Sequence, residues 1–346
     1  MTRTATEHLR GIDRTLRFGA ISLLVIAAAW AMRDILLLVF AAVLIACVLR
    51  GASNALDRRT GLGPNKSLAV VIVLLIATIV ALVWWRGNDI ADQAVQIADQ
   101  LRSQVEQLWK QMAASPWGSV VAQQLRNAAQ SARTGLTGYV PGVASSVLGI
   151  GGSAVVIIAT AAFLAASPQT YISGGLRLLP VSWRRRGREA AAQIGSTLQL
   201  WFIGQLADMV VVATLVGAGL FILDIPLALT LALVAGLFNF VPYVGALAGA
   251  LPAILVALAQ SPNDALWVAF LFLSVQTLEG NVIAPLIQRR TISLAPALTI
   301  MSQTILGTLF GILGLVVATP LTAALVTGVR MIYVEGVLEQ DEQSDR

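Results

Sequence analysis

The chain has 346 residues, of which 57% are hydrophobic and only 12% are charged. Soluble domains carry about 25% charged residues, so this composition, with a mean hydropathy of +0.79, argues against a soluble protein and predicts an all-α membrane protein. The net charge of +5 does not indicate nucleic-acid binding, because the basic residues lie beside apolar runs. One cysteine, Cys47, and one histidine, His8, give neither a disulfide framework nor a zinc ligand set. We therefore expect no cofactor and no bound metal.

The first third of the chain is predicted to form a tail, three membrane spans and an amphipathic segment. Residues 1–17 are polar and basic, and three apolar runs follow within 18–86. The third run, Ser67–Trp85, is close to the roughly 20 residues that cross a bilayer. Between residues 87 and 134, apolar side chains recur every three or four positions among polar ones. This pattern predicts an extracytoplasmic helical hairpin that caps the bundle, lies on the membrane, contacts a second subunit or forms a lid that gathers substrate.

The remaining chain is predicted to hold five more spans, for about eight in total. Residues 135–166 contain the fourth span, and 167–200 form a basic cytoplasmic connector whose helix lies at the lipid surface. Residues 201–330 form the transport core, and 331–346 an acidic cytoplasmic tail. Thr291–Val329 carries no charge over a length too great for one span, which indicates a hairpin of two spans or half-spans.

The distribution of basic residues predicts the orientation. With a cytoplasmic N-terminus and alternating sides, the inner segments hold 17 of the 23 lysines and arginines. Cytoplasmic loops carry such an excess. Both termini are therefore expected in the cytoplasm and the amphipathic hairpin outside.

The transport core contains interrupted apolar segments. Residues 225–288 carry two charges only, and prolines and glycines divide the apolar runs. Interrupted helices in lipid line protein cavities and supply transporter binding sites. The predicted helix breaks are Pro242, Gly245, Pro252, Pro285, Gly311, Gly314 and Pro320.

Ordered motifs in this core carry a family resemblance. They are Gly204-Gln205, the run Asn239–Gly245 (NFVPYVG), Leu278–Asn281 (LEGN) with Pro285, Gly307 with Phe310–Gly314 (FGILG), and Ala318–Pro320 (ATP). In order and spacing the chain resembles the AI-2E family of autoinducer-2 exporter-like permeases. The resemblance implies a polytopic permease of the bacterial inner membrane. Some members are linked to autoinducer-2 export and others to sodium/proton antiport.

Glu279 is the first candidate for a transport residue. A charged side chain at mid-membrane costs on the order of 2.5–3.5 kcal/mol, so one that is kept is a functional hypothesis. Gln276 shares its helical face, and Asn281 could hydrogen-bond the carboxyl or coordinate a cation. The alternative is a carboxyl near the cytoplasmic interface, paired with Arg289 or Arg290.

Asp208 is the second candidate, with Gln205 three residues earlier on the same helical face. Asp208 could carry a proton or sodium ion, but it could equally be solvated in a vestibule or buried in a pair. Asn239 and Tyr243 flank the Pro242 break, which either faces a cavity or is a tight turn between spans.

These features predict a secondary permease that moves a small polar molecule or an ion, driven by a proton or sodium gradient. The expected partners are the lipid bilayer, the transported solute or cation, and further copies of the chain. No G-x-x-x-x-G-K-[ST] motif is present, so the chain is not expected to hydrolyse ATP. The alternative is a passive oligomeric pore. A membrane enzyme is disfavoured because there is no metal-ligand set or nucleophile motif.

Overall fold

A computed structural model describes residues 32–78, 80–81, 156–288 and 294–338. Every element in those ranges is helical. The helices are α1 (Arg33–Thr60), α2 (Pro64–Thr78), α3 (Val156–Ala166), α4 (Pro168–Leu176), α5 (Arg184–Ile222), α6 (Ala228–Phe238), α7 (Val244–Gln260), α8 (Pro262–Leu278), α9 (Ala284–Gln288) and α10 (Pro296–Val329). A 3-10 turn, Val181–Trp183, precedes α5, and π-helical segments, Glu279–Ile283 and Arg330–Leu338, follow α8 and α10. The all-helical prediction is confirmed for this part of the chain.

The longest helix, α5, is the axis of the bundle. Its 39 residues extend about 58 Å at 1.5 Å per residue. The sequence pattern predicts a surface helix in the connector and a separate span after it, yet the two form one helix here. No proline occurs between Arg184 and Ile222, so no residue in this stretch removes a backbone donor. Helices α1, α6, α8 and α10 all pack against α5.

Helices α6 and α7 form a hairpin, the central hairpin, that reverses at residues 239–243. Val244 N–H donates to the Pro242 carbonyl at 2.8 Å, and Tyr243 between them has φ 65° and ψ −57°. This is a γ-turn with a strained central residue. A Cβ on Gly245 would overlap the Phe238 carbonyl. Glycine is therefore required where the returning helix starts.

Helix α10 is also a hairpin, the C-terminal hairpin, with arms 296–310 and 312–329. Gly311 has φ 64° and ψ −145°, a conformation essentially restricted to glycine. Gln303 Nε2 donates to Thr319 Oγ1 at 3.2 Å, although sixteen residues of straight helix would separate them by about 24 Å. The arms are therefore antiparallel. A Cβ on Gly314 would overlap the Leu306 carbonyl, so the arms touch closely near the reversal.

Three positions predicted as helix breaks lie inside helices. Pro252 sits within α7, Pro320 within the second arm of the C-terminal hairpin, and Pro285 within α9. A proline removes one intrahelical hydrogen bond without reversing the chain. The reversals occur instead where residues adopt positive φ, at Tyr243 and Gly311.

Within the described ranges, three buried apolar clusters hold the helices together. The largest joins the C-terminal half of α5 to α6, α7 and α8 through small and β-branched side chains such as Val216, Ala235, Ala253 and Val268. A second joins α1, α2 and α3. A third joins α1, α5 and α10 around Leu198. Both hairpins are thus anchored to the same long helix.

Four of the described helices are long and apolar enough to cross a membrane, namely Arg33–Thr60, Val181–Ile222, Pro262–Leu286 and Pro296–Val334. The pair α3 and α4, bent by 84°, raises the number to five if it counts as one span. The last of the four is folded back at Gly311. Predicted spans one and four lie wholly or partly outside the described residues, as does the amphipathic hairpin of 87–134.

Candidate functional site

Four polar side chains from three separate helical segments meet inside the bundle. Gln205 and Asp208 come from α5, Asn239 ends α6, and Glu279 opens the π-helical segment after α8. All four are buried, and Asn239 is only 1% exposed. These four candidates, chosen from the sequence for their polarity in apolar runs, are therefore brought together. We call them the acidic cluster.

The side-chain amide of Asn239 connects the two carboxyl groups. Its Nδ2 donates to Asp208 Oδ2 at 2.8 Å and, more weakly, to Glu279 Oε1 at 3.4 Å. Gln205 Nε2 donates to the Asn239 backbone carbonyl at 2.7 Å. That carbonyl is one of the last in α6, where a helix end leaves acceptors without intrahelical donors. Gln205 thus holds the tip of the central hairpin while Asn239 contacts both acids.

Close helix packing explains why Asn239 reaches Asp208. A Cβ on Gly236 would contact the Met209 carbonyl at 2.8 Å and the Ala213 side chain at 2.6 Å. Only glycine at this position lets α6 approach α5 so closely, one turn before Asn239. A larger residue would move the hairpin tip away from the acids.

The helices that position Asp208, Asn239 and Glu279 also share a common end of the bundle. At the opposite end of the bundle, Gln260 Nε2 donates to the Asp224 carbonyl at 3.4 Å, which joins the two turns there. From those turns, Asp208, Asn239 and Glu279 lie about 17 to 26 Å along their helices. These lengths are shorter than the thickness of a hydrocarbon core, about 30 Å.

The cluster has more acceptors than donors. Asp208 Oδ1 and Asn239 Oδ1 are buried and have no hydrogen-bond partner. Among the described residues, neither Asp208 nor Glu279 forms an ion pair. Arg289 and Arg290, the alternative partners of Glu279, lie outside the described residues. Burying an unpaired charge costs several kcal/mol, so this set of oxygens favours a proton or a small cation.

The other three candidates do not join the cluster. Asn281 is exposed and donates to the Thr277 carbonyl of its own helix at 2.8 Å. Two residues along a helix turn a side chain about 200°, which places it opposite Glu279. Tyr243 is 42% exposed beside the hairpin turn, and Gln276 is half-buried on α8.

A second buried polar contact was not predicted from the sequence. Gln303 and Thr319 are hydrogen-bonded between the arms of the C-terminal hairpin, and Gln303 is 2% exposed. The available signal was symmetry, since each lies eight residues from Gly311. A glutamine and a threonine at equal distances from a glycine in an uncharged run favour contact across a reversal.

A bundle of apolar helices with two internal hairpins and buried acids at a hairpin tip defines a polytopic membrane protein of the transporter type. Among the described residues, no group of three or more His, Cys, Asp or Glu side chains is placed to hold a metal ion. The family model described as AI-2E family transporter matches residues 20–333 of this chain. The chain belongs to the AI-2E family.

Similar proteins carry transport names. The chain is 32% identical over 148 residues to "Putative transport protein YrrI" of Bacillus subtilis, an alignment covering 43% of this chain and 42% of that protein. It is 34% identical over 148 residues to "Putative transport protein YueF" of the same organism, covering 43% and 40%. "Putative transport protein MT0215" of Mycobacterium tuberculosis is 28% identical over 211 residues, covering 60% and 55%. Each alignment spans less than two thirds of the relative's own length.

Proposed function

We propose that this protein is a secondary permease of the inner membrane, in which the acidic cluster binds the proton or monovalent cation that drives transport. The observation that carries the proposal is the Asn239 side chain, which contacts both Asp208 and Glu279 inside the bundle. The transported solute is a cation exchanged for protons or a small polar signal molecule of the autoinducer-2 type.

The chemistry of the cluster supports reversible ion binding. Two ionised carboxylates around one amide repel each other, and a proton or bound cation relieves the repulsion. Carboxylate and amide oxygens are the ligands that hard cations prefer. Occupied and empty forms therefore differ in charge at one buried point, which is the requirement for coupling an ion gradient to a conformational change.

The position of Asn239 supports a coupling role for the central hairpin. The amide sits at the hairpin tip and the two carboxyls belong to the helices beside it. When the carboxyls take up an ion, the hydrogen bonds that hold the tip change in strength, because bonds to charged acceptors are stronger. We propose that this releases the tip and opens the site to one side of the membrane.

The full arrangement is proposed to contain about eight spans, with both termini and the tip of the central hairpin toward the cytoplasm. Cysteine labelling tests the orientation in a Cys47→Ser background. A membrane-impermeant reagent is expected to label Asn263→Cys in intact cells and Arg58→Cys only after permeabilisation. The reverse pattern would invert the orientation without affecting the cluster.

Proton exchange in proteoliposomes tests the proposed function. Purified protein is sealed in liposomes with an internal pH dye, and a sodium gradient is imposed. The wild type is expected to change the internal pH, and Glu279→Gln and Asp208→Asn are expected to abolish the change. Each variant keeps the size of the side chain and one acceptor oxygen but replaces the titratable carboxylate by a neutral amide.

Matched controls use exposed acids. Glu189 is exposed and lies 3.7 Å from Arg185, and Asp224 is exposed in the far turn. Glu189→Gln and Asp224→Asn should exchange like the wild type. Exchange by Glu279→Gln at the wild-type rate would refute the carboxylate mechanism. Solute flux that does not depend on any ion gradient would favour the passive pore.

A further inference from the structure

The two arms of the C-terminal hairpin enclose a polar seam that the acidic cluster does not use. We define the seam by Thr299, Gln303, Thr319 and Thr322, all of them buried. Antiparallel arms that reverse at Gly311 place Gln303 opposite Thr319, where their hydrogen bond is found. None of the four side chains carries a formal charge.

The seam offers oxygen atoms that lack donors. Gln303 Oε1 is buried and has no hydrogen-bond partner. Thr319 Oγ1 accepts from Gln303 Nε2 and keeps a second lone pair. Pro320 has no N–H, so the Val316 carbonyl one turn earlier loses its helical donor. Amide, hydroxyl and freed carbonyl oxygens therefore occur together at one level of the hairpin.

The space between the arms restricts the size of an occupant. A Cβ on Gly307 would lie 3.5 Å from Leu315, and one on Gly314 would overlap the Leu306 carbonyl. Arms packed this closely leave no room for an organic solute, so an occupant would have to be as small as a dehydrated alkali cation. Uncharged backbone carbonyls at broken helices coordinate sodium ions in membrane transporters.

We propose that the seam between Gln303 and Thr319 binds a sodium ion through uncharged oxygens. The inference rests on the proposed function for its role, since a sodium site next to a proton site would allow exchange of the two ions. The site itself stands on the unpartnered Gln303 oxygen and the geometry of the hairpin.

Helix packing places the seam beside the acidic cluster. A Cβ on Gly328 would lie 3.6 Å from Ile194, and Ala324 belongs to the same buried cluster as Leu198. The second arm therefore runs antiparallel to α5, and four residues on one helix match four on the other. Continuing that register brings Thr319 within about two helical turns of Asp208.

Sodium binding to the full chain in lipid nanodiscs tests the proposal. Binding is measured with radioactive sodium, and as the rise in Tm when NaCl replaces choline chloride at constant ionic strength. Thr319→Val removes the hydroxyl oxygen and Gln303→Leu removes the amide oxygen. Both are expected to weaken sodium binding roughly tenfold or more, because a buried charge loses a ligand. Thr319→Ser keeps the oxygen and is expected to bind sodium like the wild type.

Two controls separate this site from general damage and from the acidic cluster. Thr304→Val makes the same chemical change at an exposed position of the first arm and should leave sodium binding unchanged. Glu279→Gln should lose proton exchange but keep sodium binding. Tm without sodium and size-exclusion profiles report folding, so Gln303→Leu still decides the matter if Thr319→Val fails to fold.

Three results would overturn the site. They are no sodium binding by the wild type, wild-type binding by both Thr319→Val and Gln303→Leu, and loss of binding in Glu279→Gln while the seam variants retain it. In the third case sodium binds at the acidic cluster, and the proposed function stands without the seam. If the wild type binds no sodium, the proposed function still stands as proton-coupled transport of another solute.

Discussion

The two hairpins share an architecture and differ in chemistry. Each consists of two antiparallel arms, is held against α5, and is interrupted within an apolar stretch; in the central hairpin the contact with α5 comes from α6. The central hairpin has its polar residue, Asn239, at the tip, where it contacts two acids. The C-terminal hairpin has Gln303 and Thr319 halfway along its arms and meets no acid there. A polar group at the tip contacts the neighbouring helices, whereas the hydrogen bond between the arms stays within one hairpin.

The reversals are also built differently. The central hairpin turns over five residues, 239–243, and carries a tyrosine at positive φ. The C-terminal hairpin turns at a single glycine, Gly311. The longer turn leaves backbone groups and side chains free to contact the surroundings, while the shorter one brings the arms into direct contact. Substitutions at the two reversals should therefore have different effects.

The largest effect is expected for Gly245→Ala, which breaks the central hairpin alone. The new methyl group overlaps the Phe238 backbone carbonyl, and backbone cannot move aside as a side chain can. Destabilisation should exceed the roughly 1–3 kcal/mol of an overpacked core. Thermal unfolding and size-exclusion chromatography in detergent measure the loss. Gly174→Ala, where a Cβ meets nothing within 4 Å, is the control and should fold normally.

Asn239→Ala tests the tip contact without altering the backbone. The two carboxyls lose their shared donor, and hydrogen bonds to charged groups contribute about 1.5–3 kcal/mol. Ion-driven transport should fall at least about tenfold while the protein remains folded. Asn281→Ala removes an exposed amide two residues from Glu279 and should transport like the wild type. Equal losses of transport in Asn239→Ala and Asn281→Ala would contradict this prediction, because the position of the amide relative to the carboxyls would then not matter.

Gly311→Ala tests the shorter reversal. There is space for the methyl group, so the cost is only that of holding a non-glycine residue at φ 64°, about 1–3 kcal/mol. Tm should fall, and sodium-dependent stabilisation should fall with it because the arms that carry the seam move apart. An unchanged Tm would mean that the hairpin tolerates another turn at this point.

The smallest effect is expected for Tyr243→Gly. Glycine adopts the γ-turn conformation without strain, and the tyrosine is 42% exposed, so little packing is lost. Relief of the strain, about 1–3 kcal/mol, exceeds the roughly 0.5–1 kcal/mol that glycine costs through the entropy of the unfolded chain, so Tm should rise slightly. A clear fall in Tm would show that the tyrosine ring contributes packing to the turn.

The sequence predicts the elements of this bundle better than their contacts. Glycine and proline positions indicated an interruption near Asn239 and another near Gly311, because backbone requirements are local. Apolar runs likewise indicated helices. Pro252 and Pro320 lie inside helices although the sequence predicts breaks there. A proline within a helix removes one hydrogen bond, and the neighbouring residues keep the direction of the helix.

The meeting of Asp208 with Glu279 is a property of packing and could not be predicted. The two residues are 71 positions apart in sequence, and Asn239, which bridges them, reaches Asp208 because Gly236 admits α6 against α5. Asn281, by contrast, could have been excluded by helical spacing alone, because it lies two residues from Glu279. Gln303 was missed because its equal spacing with Thr319 about Gly311 indicates a contact only if the chain reverses at that glycine.

The single continuous α5 sets a fixed distance between the two hairpins. The C-terminal hairpin packs near Ile194 and Leu198, and the central hairpin near Gln205 and Asp208. Insertion of one residue between these segments would rotate one hairpin about 100° relative to the other and shift it by about 1.5 Å. Every side chain named in either hairpin would remain, yet the two hairpins would no longer have the same orientation relative to each other. The number of residues between Leu198 and Gln205 on α5 therefore matters to the relative placement of the two hairpins as much as the chemistry of the residues that contact them.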